Sequence, residues 1–260
     1  MDAILPAALL FGAGVAAGLA ATIAGLASLV SYPALLATGL PPITANVTNT
    51  VALFSTTAGA VAGSRAELRG QWPRLRRLCV LTVAGGGLGA ALLLNTPPEA
   101  FELIVPWLIA LGALVLLARD HLDGLATRLR LRAATPVSLP LPLAVAVLLV
   151  GVYGGYFGAA AGIMMLAVLS VAASEPLPVT NAVKNVAAGA ANVTAATTYA
   201  ILAPVDWAAA IALGLGCLLG AWTGPALVRR LPERPLRIAI GLAGLALAAH
   251  LFHTAVFPGN

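Results

Sequence analysis

The stretch Gly151-Val152-Tyr153-Gly154-Gly155-Tyr156-Phe157-Gly158-Ala159-Ala160-Ala161-Gly162 lies in the middle of an uncharged apolar run, residues 138–173. A helix needs about 20 apolar residues to cross a bilayer, so this run is too long for one simple span. Each glycine in a helix interior costs about 1 kcal/mol relative to alanine. A cluster of glycines at mid-run therefore predicts a break, with two short helices joined by a turn.

A second run of this kind opens the chain. Residues 3–38 carry Gly18 and then Thr22-Ile23-Ala24-Gly25 near their middle. Gly14, Gly18 and Gly25 align with Gly151, Gly155 and Gly162 at a constant offset. One gap later Pro42-Ile43-Thr44 aligns with Pro178-Val179-Thr180 and Asn49 with Asn185. Trp72 then aligns with Trp207, and Gly89 with Gly224. The sequence is internally duplicated, the signature of many transporter folds. We read 1–120 as a first membrane repeat, 137–260 as a second, and 121–136 as a cytoplasmic linker.

Between and after the two long runs come apolar segments at 43–64, 73–94, 99–118, 178–203, 207–228 and 235–256. The 260-residue chain is 60% hydrophobic and 9% charged, with mean hydropathy +0.99. A soluble domain needs more charge to cover its surface. The expected fold is an all-α integral membrane protein of two inverted repeats. Each repeat is a broken-helix hairpin plus three transmembrane helices, for about eight to ten membrane segments.

The net charge of +5 does not indicate a nucleic-acid partner. Its arginines sit between apolar runs, as loop charges of membrane proteins do. They form three groups: Arg65 to Arg77, Arg119 to Arg132, and Arg229 to Arg237. With four simple spans per half, the third group would face the opposite side from the other two, against the positive-inside rule. If each long run is a hairpin making an even number of passes, all three groups face the cytoplasm. The halves are then inverted and both termini lie outside. This parity does not distinguish re-entrant from fully spanning hairpins. The start, Met1-Asp2-Ala3-Ile4, has no basic region of the kind that precedes a cleaved leader. Cys79 and Cys217 lie in apolar runs and read as small buried hydrophobes.

Lys184 is the only lysine, two turns into the segment 178–203. An ammonium at that depth is expensive and must face a cavity or a partner. It reads as a ligand for an anion or, alternatively, as a lysine snorkelling to a helix end. Around it stand Thr180, Asn181, Asn185, Asn192 and Thr194; the first half offers Thr44, Asn46, Thr48, Asn49 and Thr56. Their amides and hydroxyls can donate to an oxyanion or join helices to one another. The broken helices supply free N–H groups at helix starts, which attract anions. Candidate donors lie at Gly25, Ser28 and Gly162, although such glycines also serve close packing. The substrate-site expectation is thus Lys184, Asn185, Asn49, Thr48, Asn181, Asn192, Gly25, Ser28 and Gly162.

His250 and His253 are too few for a metal site. Trp72, Trp207 and Tyr199 read as interfacial aromatics near segment ends. Zinc-protease, nucleophile-elbow and Walker motifs are absent from the sequence. No enzyme activity, catalytic residue, metal or cofactor is expected.

In these features the chain resembles the sulfite exporter TauE/SafE family of membrane permeases, over nearly its whole length. The resemblance rests on Gly14-Val15-Ala16-Ala17-Gly18 leading to Gly25, and on Gly39-Leu40-Pro41-Pro42 before a Thr/Asn-bearing helix. It continues in Gly151 to Gly158, Lys184-Asn185, and Val205-Asp206-Trp207. It implies transport of sulfite, sulfonates or other small sulfur-containing or organic anions. The expected function is a secondary transporter working by alternating access in the cell inner membrane, with export the favoured direction. The expected partners are the small anion and the lipid bilayer, with homo-oligomerisation left open. The alternative is a non-transporting assembly or sensor subunit.

Overall fold

The glycine cluster breaks the helix. The computed structural model describes residues 4–130, 140–172, 176–228 and 233–256, and among these it contains twelve helices and no strands. The first long run divides into α1 (Ile4–Ala24) and α2 (Ala27–Ala37), and the second into α8 (Leu141–Tyr156) and α9 (Ala161–Ala172). Gly25 at φ +71° and Gly158 at φ +79° adopt left-handed backbone that ends the preceding helix. With 11 and 12 residues, α2 and α9 are each about 17 Å long. That is about half the apolar thickness of a bilayer, so neither second arm is long enough to cross one alone.

The remaining helices follow the apolar segments closely. They are α3 (Pro42–Ala52), α4 (Phe54–Gly63), α5 (Trp72–Leu94), α6 (Pro98–Leu117), α10 (Leu177–Leu202), α11 (Trp207–Val228) and α12 (Glu233–Val256). Starts are set by proline. Pro41, Pro97, Pro140 and Pro176 precede α3, α6, α8 and α10 with ψ of 145–149°, and another proline follows in each first turn. Proline fits there because the first-turn N–H groups have no intrahelical acceptor. Among the described residues α5, α6 and Ile238–Ala255 have the length and apolarity to cross a membrane unaided.

Two expectations need correction. Segment 43–64 is not one helix: it divides at Leu53 into α3 and α4. There the Ser55 and Thr56 hydroxyls donate to the carbonyls of Ala52 (3.0 Å) and Leu53 (2.7 Å), competing with the helical ladder. The linker read at 121–136 is helical at its start, where α7 (Arg119–Arg130) forms. That helix packs on α9.

Two crossings dominate the packing. Along α1, Gly14 faces Leu213–Cys217 of α11 and Gly18 faces Cys217–Ala221. Along α5, Gly85 faces Leu148–Val152 of α8 and Gly89 faces Val152–Tyr156. The numbering rises together on both sides, so each pair runs parallel. Gly216 and Gly220 return the approach from α11, as do Gly151 and Gly155 from α8. A Cβ at these glycines would meet backbone at 3.3 Å or less, so the helices touch main chain to main chain. Small residues four apart allow this packing in a bilayer, where apolar burial gives helices no reason to associate.

Candidate functional site

The ends of the broken helices leave carbonyls without intrahelical partners, and in a bilayer these must be satisfied inside the protein. At the second break, side chains do so. Tyr199 donates its hydroxyl to the Gly155 carbonyl. Asn46 Nδ2 donates to the Tyr156 carbonyl (2.9 Å), and the Tyr153 hydroxyl to that of Ala159 (2.7 Å). Ala160 is held at φ 59°, a conformation costing a residue with a Cβ about 1–2 kcal/mol. The break is thus fixed from α3, α8 and α10.

Beside it the two breaks meet. A Cβ on Gly162 would lie 3.6 Å from the Gly25 carbonyl oxygen. A cavity of about 670 Å³ opens here, lined from both halves of the chain. Gly25 and Ser28 line it from the first break, and Gly162 from the second. Asn181, Lys184, Asn185 and Asn192 line it from one side of α10. Ser28 and Gly162 lie in the first turns of α2 and α9, where N–H groups lack intrahelical acceptors.

Lys184 is 8% exposed, and no described residue forms a hydrogen bond or ion pair with it. Asn192 Nδ2 is buried without a partner. Among the described residues no Asp or Glu lines the cavity. The lining extends to Ser64 and Arg119, at the end bordered by the first two arginine groups. Phe157 lines it from within an aromatic cluster. Its ring meets Tyr32 edge-on at 5.2 Å and Phe101 at 6.4 Å, and Phe101 in turn packs on Tyr156 at 6.0 Å. The Tyr156 hydroxyl shares a hydrogen bond of 3.2 Å with Thr96.

The sequence profile of the sulfite exporter TauE/SafE family matches residues 10–251, which include both breaks and the whole cavity lining. The chain belongs to the sulfite exporter TauE/SafE family. Two similar proteins bear the same general description. "Probable membrane transporter protein ORF9" of a Sinorhizobium species is 28% identical over 256 residues, covering 96% of this chain and 94% of its own. A "Probable membrane transporter protein" of Haemophilus influenzae is 27% identical over 250 residues, covering 95% and 94%. No solved structure matches the chain. The TauE/SafE chain is a multi-pass membrane transporter.

The remaining candidates lie elsewhere in this TauE/SafE fold. Thr48 accepts from the Asp206 backbone N–H at 3.0 Å, tying α3 to the start of α11. Asn49 is buried, its Oδ1 accepting from the Ser31 hydroxyl at 2.5 Å. Neither lines the cavity. Tyr199, expected at an interface, is fully buried at the break. Trp72 and Trp207 are exposed at the first residues of α5 and α11. Arg119 is the lining residue that sequence reasoning passed over. It follows the apolar segment directly and looks like any other loop arginine, and only the packing of α7 on α9 distinguishes it.

Proposed function

We propose that this protein carries a small anion by alternating access, binding it in the cavity beside the two helix breaks. The observation carrying this reading is Lys184: a buried ammonium with no counter-charge among the described residues, in a cavity whose described lining carries no acid. A cation at membrane depth costs about 2.5–3.5 kcal/mol on insertion scales, and a bound anion offsets that cost. The amides of Asn181, Asn185 and Asn192 and the first turns of α2 and α9 surround the bound anion with neutral donors.

The inverted relation of the halves belongs to the same reading. If α1 to α6 correspond to α8 to α12, with α3 and α4 together matching α10, then α1 on α11 exchanges with α8 on α5. The packing of α5 on α10 likewise exchanges with that of α11 on α3 and α4, and α6 on α12 exchanges with itself. Gly86 faces Ala191, and Gly87 faces Thr194, so α5 and α10 run parallel. A short connection reverses the chain into α11, making the α1–α11 pair antiparallel to the α5–α8 pair. With the arginine groups in the cytoplasm, the cavity opens inward. An inside-negative potential in the inner membrane then favours anion export by about 2.3 kcal/mol per charge per 100 mV. Sulfite and organic sulfonates are the substrates the family's description suggests.

Flux of labelled sulfite from inverted and right-side-out vesicles tests the reading. Lys184→Gln is expected to weaken apparent anion affinity at least about tenfold, the worth of one charge-assisted hydrogen bond. Unchanged affinity and flux would remove Lys184, and with it the anion site, from the mechanism.

A further inference from the structure

The cavity carries a second cation, and its position is not repeated among the described residues. Arg119 lines the same cavity as Lys184, and two like charges sharing one cavity repel. It begins α7, which has no counterpart among the described helices of the second half. We propose that Arg119 is a second, charge-selective ligand at the inner mouth, and that the Lys184–Arg119 pair selects a small divalent oxyanion over a monovalent one.

This inference rests on the anion reading above and deepens it. Coulomb energy scales with the charge of the ligand. A site with two cations and no acid among its described lining residues therefore gains twice as much from a dianion as from a monoanion, whereas neutral donors discriminate less. Arginine suits the position because its planar fork remains charged and pairs two oxygens at once. Arg119 already has an interaction within the protein. The proposal requires that its charge face the anion, not that it have a vacant hydrogen bond. Because no described helix of the second half pairs with α7, this second charge acts where the cavity opens on the α7 side.

Probes of fixed charge separate the two effects: thiosulfate, a dianion, and methanesulfonate, a monoanion. Binding to the purified full-length protein is measured by thermal shift and by competition at constant ionic strength, because added salt screens exposed charges. Wild type is expected to prefer thiosulfate. If Arg119→Gln weakens methanesulfonate about threefold, it should weaken thiosulfate about tenfold, the square of that factor. Arg119→Lys, which retains the charge, should recover most of the preference, whereas a merely structural role for Arg119 would leave both variants alike. Equal weakening of the two probes in Arg119→Gln, or no weakening, overturns this inference and leaves the Lys184 site standing. Wild type that binds neither probe, or Lys184→Gln that binds both normally, overturns the anion reading itself.

Discussion

Gly155, Tyr156 and Ala159 present three carbonyls at the end of α8 that no helix partner can take, and Tyr199, Asn46 and Tyr153 take them. Orphaning one such group in a dry interior costs about 1–3 kcal/mol. Tyr199→Phe is therefore expected to lower the thermal stability of the purified protein by that order while leaving the packing of the ring intact. Wild-type stability would show that the Gly155 carbonyl needs no partner. A lone lysine within an apolar segment reads as a cavity ligand or a snorkelling side chain, and Lys184 is buried at the cavity wall. Asn49 and Asn185 occupy equivalent places in the duplication and were read alike, yet Asn185 lines the cavity while Asn49 bonds Ser31. What separates them is the neighbouring helix, which the repeat does not encode. Tyr199 was misplaced for a related reason: proximity to a segment end resembles an interfacial position until α8 is packed against it.

At the scale of elements, the apolar runs fixed most helix ends to within a residue or two, because proline starts and left-handed glycine stops are local chemistry. The division of α3 from α4 escaped notice because hydroxyl competition with the ladder leaves hydropathy unchanged. The linker helix α7 had its apolar spacing in plain view but lay among charges. The glycine crossings give a sharp contrast between positions. A methyl on Gly155 would press on Gly86, whose Cα lies 2.8 Å from the added carbon, whereas one on Gly12 meets nothing within 4 Å. Gly155→Ala is expected to destabilise by about 1–3 kcal/mol, as overpacking does. Gly12→Ala should be neutral or stabilising by up to about 1 kcal/mol. Thermal unfolding of both variants in detergent checks this, and equal behaviour would mean that α5 and α8 separate freely.

For the whole molecule, the proposed inverted arrangement makes a claim about sidedness. With Cys79 and Cys217 replaced by serine, Glu99→Cys should react with a membrane-impermeant thiol reagent added to intact cells, and Arg69→Cys only after the membrane is opened. Both native positions are exposed. The reverse pattern would invert the topology and turn the cavity mouth outward. The crossings also show that the sequence halves are not the packing units. The second half's α11 lies on α1, and the first half's α5 lies on α8. A transport cycle that moves one body against another must divide the protein into bundles that each borrow a helix from the other half.

That exchange has a consequence for biosynthesis. The face of α1 carrying Gly14 and Gly18 is completed only by α11, nearly two hundred residues later in the chain. During synthesis α1 therefore waits, its bare backbone without its protein partner, for a helix made much later. The α5–α8 pair assembles earlier, after a much shorter stretch of chain. The order of assembly is accordingly asymmetric even where the finished architecture is not. Newly made protein passes through a stage in which one glycine-lined crossing is closed and the other still awaits its partner. A ribosome that stalls before α11 leaves the membrane a chain unable to complete its own first contact.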